Sequence, residues 1–159
     1  MNGNETFWRG WLVVVTLGVM LFGLSMVLVP GLIRQFFGML VFSSPGSLDA
    51  FDDRAIAYIT LVHGVLGTVM FGWCIALLCI ILGPFRRCSF EAWLTVTISL
   101  GAWFVPDTLF SLWTHFWQNA VLNGALIVLF AVPLAATYRS HREGFARSPA
   151  TAGFGERGS

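Results

Sequence analysis

Residues 55–82 read AIAYITLVHGVLGTVMFGWCIALLCIIL, 28 residues without one Asp, Glu, Lys or Arg. A helix of about 20 mainly apolar residues crosses the hydrocarbon core of a bilayer. This run therefore spans, with length left over for tilt or protrusion. Gly83-Pro84 closes it, and Arg86 and Arg87 follow in a short loop. Three further stretches are also mainly apolar and long enough to span: residues 8–29, 92–115 and 119–138. The sequence thus predicts an all-α fold, a transmembrane four-helix bundle that leaves only short loops and a tail outside.

Composition agrees. Of 159 residues, 57% are hydrophobic and 11% charged, and mean hydropathy is +0.78. An average soluble domain has roughly 25% charged residues. A soluble globule, a disordered chain and a coiled coil are all excluded. Net charge is +1, so no global field attracts a polyanion, and no nucleic-acid partner is expected. The expected partners are the lipid bilayer and other membrane subunits or further copies of the chain.

Residues 8–29 exceed the h-region of a signal peptide, about 7–15 residues, and lack a clean cleavage site, so they read as a retained helix. Residues 31–42, GLIRQFFGMLVF, are too short to span and read as a helix in the membrane interface, with a re-entrant segment as the alternative. Residues 139–159 are rich in Arg, Gly and Ser and read as a disordered cytoplasmic tail. All nine basic residues are Arg. Seven fall on the side of the termini and the second loop; only Arg34 and Arg54 fall opposite. By the positive-inside rule both termini are cytoplasmic, and a bacterial plasma membrane is the expected location.

Gly64, Thr68 and Gly72 make a small-residue stripe on the second span, and Ala120 and Gly124 a shorter one on the fourth. Such stripes let helices approach closely. Pro133 lies inside the fourth span, where a bend is expected, and Pro106 lies inside the third, where it frees the carbonyl of Ala102 from its helical bond.

Ionisable groups inside spans are costly and mark function by default. His63 and Asp107 are the clear cases here. Both sit in the outer half of their spans, as do Ser25 and Asn123. Ser111 is one helical turn from Asp107, and Asn119 one turn from Asn123. The expected arrangement is a polar cluster of His63, Asp107, Ser111, Asn119, Asn123 and Ser25, with Cys74 and Cys79 in the apolar core beneath. It reads either as a clasp that sets helix register or as a ligand or proton site.

No catalytic motif and no metal-ligand set appears, so the reading leans away from an enzyme. No CxxC pair is present. No cofactor is called for. A b-type haem between His63 and His115 is disfavoured because His115 lies nearer the surface, and a quinone stays open as a substrate or ligand.

The stretch 102–138 carries Asp107-Thr108, Ser111-Leu112-Trp113, Asn119-Ala120 and Asn123; the stretch 58–73 carries His63, Gly64, Gly67 and Gly72. In these features the chain resembles a group of small four-span bacterial membrane proteins to which no activity is attached. In length and span count it also resembles the DoxX-like four-helix proteins, some of which accompany oxidoreductases. The lack of extramembrane domains and of a catalytic motif, with abundant small and aromatic packing residues, points instead to an accessory or assembly subunit of a larger membrane complex, or to a homo-oligomer. The alternatives are a small-ligand or proton-coupled binding protein built on the polar cluster, and a small membrane enzyme acting on lipid or quinone.

Overall fold

The computed structural model describes residues 3–44 and 46–146. Among them the chain is 91% helical, with five α-helices and no strand. These are α1 (Gly3–Leu28), α2 (Pro30–Phe42), α3 (Asp53–Leu82), α4 (Phe90–Trp113) and α5 (Trp117–Ala146). All but α2 are long and apolar enough to cross a membrane.

Local chemistry sets the boundaries. Pro30 lacks an N–H and is accepted as a first helical residue, so α1 ends and α2 begins within two residues. The Asp52 carboxylate accepts from the Ala55 amide at 2.7 Å and caps α3; Ser89 caps α4 in the same way. Ser43 and Cys88 take left-handed φ values of 56° and 55°, which end α2 and the 3-10 turn Pro84–Arg87.

The helices associate as two pairs, α1 with α3 and α4 with α5, joined mainly through α1 and α5. α1 buries Leu12, Thr16, Val19, Gly23 and Met26; α3 buries Gly67, Met70, Cys74, Leu77 and Ile81. These positions recur every three or four residues, one stripe of each helix. The two stripes touch most closely where Gly23 meets Gly67. A Cβ on Gly67 would strike the Gly23 carbonyl oxygen, and a Cβ on Gly23 would lie 2.9 Å from the Gly67 oxygen.

That contact corrects the expected packing face. Thr68 and Gly72 are exposed, and Gly64 and Gly72 have open space around them. Gly67 lies three positions from Gly64, so the packing ridge is one step around the helix from the stripe of small residues. Gly124 likewise has open space, with Ala120 half-buried. Cys74 is buried as expected, whereas Cys79 is exposed on the bundle surface.

Two tryptophans supply donors to backbone carbonyls between helices. Pro133 removes the N–H that would bond the Leu129 carbonyl, and the indole N–H of Trp11 donates to that oxygen at 3.0 Å. Trp93 donates to the Leu134 carbonyl at 2.9 Å. Freed carbonyls away from water need such partners.

α5 runs eight residues past the predicted end of its span, so residues 139–146 are helix rather than disordered tail. His141 explains the extension. Its ring is 2% exposed, packs against Phe85, and has nitrogens 2.8 Å from the Thr137 carbonyl and 3.2 Å from the Phe85 carbonyl. That anchorage ties the end of α5 to the α3–α4 connection. Residues 147–159 of the expected tail lie outside the described residues.

Candidate functional site

A cavity of about 580 Å³ sits between the helices at the end of the bundle where α2 lies. Small-molecule sites occupy roughly 300–1,000 Å³. Its walls come from all five helices. Val19 and Phe22 of α1, Met70 of α3 and Leu126 of α5 form much of the apolar lining.

The polar wall belongs to α4 and α5. Asp107 presents both carboxylate oxygens to α5: the Asn123 amide donates to one at 2.9 Å and the Asn119 amide to the other at 3.3 Å. Asn119 also donates to the Ser111 hydroxyl oxygen at 2.8 Å. Ser111 in turn donates its own proton to the Asp107 carbonyl, one turn back, at 2.7 Å. Ser111 and Asn123 are each 4% exposed. The local reason is helical spacing. Asp107 and Ser111 share one face of α4, Asn119 and Asn123 share one face of α5, and the short connection 114–116 brings the faces together.

His63 lines the same cavity from α3 but stands apart from this network. Its ring stacks on Phe37 of α2, centroids 4.7 Å apart and planes 12° apart, and among the described residues no hydrogen bond links it to Asp107. Phe37 in turn approaches Phe22, so α2 covers the cavity with aromatic rings. The sequence marked residues 31–42 as a helix, but carried no signal that its phenylalanines would face His63.

Ser25 does not join the cluster. It donates to the Phe22 carbonyl of its own helix at 2.7 Å and is absent from the cavity wall. Thr60, close to one turn outward of His63 on α3, also bonds back along its helix, to the Ile56 carbonyl. His115 sits exposed in the α4–α5 connection with φ 65° and is not among the residues that line the cavity. Among the described residues no group of three or more His, Cys, Asp or Glu could hold a metal ion.

α3 and α4 meet chiefly through Trp73, whose indole donates to Ser99 at 2.8 Å and whose ring sits edge-on to Trp103 at 4.6 Å. Trp103 also lines the cavity, so this pair bounds it on one side. Beyond the pair, lining residues Val62 and Leu66 on α3 and Phe110 on α4 are all exposed. They form an apolar rim where the two helices part.

These features define a multi-pass membrane protein with a cavity between its helices. No protein-family model, no curated protein and no solved structure matches the chain. The resemblances seen in the sequence therefore gain no family from these comparisons.

Proposed function

We propose that this chain is a membrane-embedded binding protein for a small, mainly apolar molecule held by one polar contact point. The observation that carries the reading is the cavity: its lining is mainly apolar, with a hydrogen-bonding wall on α4 and α5 centred on Asp107. Such a site orients a ligand through its few polar groups and retains it through burial of its apolar body. The exposed rim at Val62, Leu66 and Phe110 suits access from the lipid phase. The Arg distribution supports an orientation with both termini cytoplasmic, in what we take to be a bacterial plasma membrane, and in that orientation the cavity would lie in the outer half of the bilayer. Service as a subunit of a larger complex is compatible with this reading, but has no comparable site behind it.

The test is to extract the chain gently from its host and identify by mass spectrometry the small organic molecules that stay with it. Leu122→Trp, placing an indole in the cavity wall, is the control. A species enriched on the natural chain and lost from Leu122→Trp supports the reading. Identical profiles from two folded proteins would sink it.

A further inference from the structure

The polar wall of the cavity is unbalanced. A carboxylate offers about four lone-pair positions. Among the described residues Asp107 receives two amide donors, one on each oxygen, and pairs with no cation. A carboxylate only accepts, so Asn119 and Asn123 must each turn their NH2 ends toward it, and their side-chain oxygens are left as further acceptors. Ser111 spends its proton on a backbone carbonyl. Among the described residues no Arg lines the cavity, and His63, the other titratable group in its wall, is held flat against Phe37. The remaining surface is mostly hydrocarbon and aromatic, including Phe37, Trp103 and Phe110.

We infer that the ligand is a lipophilic cation, an organic ammonium whose N–H donors meet Asp107 and whose apolar body lies against the aromatic wall. This rests on the ligand-binding reading above and narrows its chemistry. Asp107 is half-buried, and a carboxylate drawn out of water is costly without a partner of opposite charge. An ammonium supplies the missing charge and up to three donors at once, where an alcohol supplies one donor and no charge. Aromatic faces add attraction for a cation in a desolvated site. An anionic amphiphile meets a carboxylate and gains none of this. The apolar rim between α3 and α4 fits a molecule that arrives dissolved in the bilayer.

The probes are three compounds with one hydrocarbon body: pyrenylmethylammonium, pyrenylmethanol and pyrenecarboxylate. Each is titrated against the full chain in zwitterionic nanodiscs. Tryptophan-to-pyrene energy transfer is read after subtraction of empty discs. A charge-assisted hydrogen bond is the stronger kind, so the ammonium should bind about tenfold tighter than the alcohol, a difference of about 1.4 kcal/mol, and the carboxylate most weakly. In Asp107→Asn the ammonium and alcohol should bind alike. If that variant does not fold, the three affinities of the natural chain still decide. Equal binding of ammonium and alcohol by the natural chain overturns the cationic ligand while leaving the cavity as a binding site. No binding of any probe above empty discs overturns both.

Discussion

The amide of Asn123 on α5 donates to the carboxylate of Asp107 on α4 at 2.9 Å, sixteen residues along the chain. With Asn119 and Ser111 this contact makes one network from two adjacent helices. It holds the α4–α5 hairpin in register and, in the same act, presents a carboxylate to the cavity. The clasp and the site are therefore one structure, and both can be probed through the same residues.

Replacing Asp107 by Asn sets an NH2 group against one of two facing amides. We expect a loss of about 1–2 kcal/mol of stability, the scale of a strong interhelical hydrogen bond in a membrane protein. Asn123→Ala should cost a similar amount, and the double variant clearly less than the sum, because both remove one contact. Denaturant unfolding in mixed micelles measures the cycle. Strict additivity would mean that the two side chains do not interact.

The α1–α3 crossing gives a contrast within one helix. A methyl at position 67 would strike the Gly23 backbone and lie 2.7 Å from the Met26 Cβ, so the helices must separate. Gly67→Ala should destabilise by about 1–3 kcal/mol, the usual cost of overpacking. Gly64→Ala and Gly72→Ala meet open space and should be neutral or slightly stabilising, since Ala is the better helix former. Equal effects at 64 and 67 would place the contact on the wrong ridge.

Trp11 and Pro133 should be coupled although neither side chain bonds the other. Trp11→Phe removes the donor to the Leu129 carbonyl and should cost about 1 kcal/mol. Pro133→Ala restores a backbone N–H that can take that carbonyl itself. In the Pro133→Ala background the cost of Trp11→Phe should shrink. An unchanged cost would show that the indole N–H contributes nothing at this carbonyl.

Cys88, in the α3–α4 connection, supplies a pH prediction. Burial pushes its thiol up, and the Glu5 carboxylate, 4.0 Å from the sulfur, pushes it further the same way. The thiolate is the reacting form. A raised pKa means less thiolate near neutrality, so maleimide labelling at Cys88 should be slower than for a free thiol and should accelerate from about pH 7 to about pH 9. Glu5→Gln removes a negative charge, lowers the pKa and speeds labelling at neutral pH. Peptide mapping separates Cys88 from the other two thiols. A rate indifferent to Glu5→Gln would remove the electrostatic part of this account.

Four spans, an all-helical bundle, a short helix after the first span, and the company of Asp107, Ser111, Asn119 and Asn123 were all legible in the order of residues. Length against bilayer thickness decides the spans, and spacing of one helical turn across a tight connection decides the polar cluster. Which faces of the helices meet was not legible. A soluble helix advertises its buried side by hydrophobic contrast, but these helices are apolar all round, so lipid-facing and core-facing residues look alike. Hence the contact ridge ran through Gly67 rather than Gly64, Cys79 faced outward, and Ser25 bonded its own helix. His141 was hidden for another reason. Its burial depends on the Phe85 carbonyl, which lies 56 positions away along the chain, and only the folded arrangement brings the two together. The cavity is of the same kind: each helix contributes an ordinary apolar face, and the space between them exists only once the bundle is assembled.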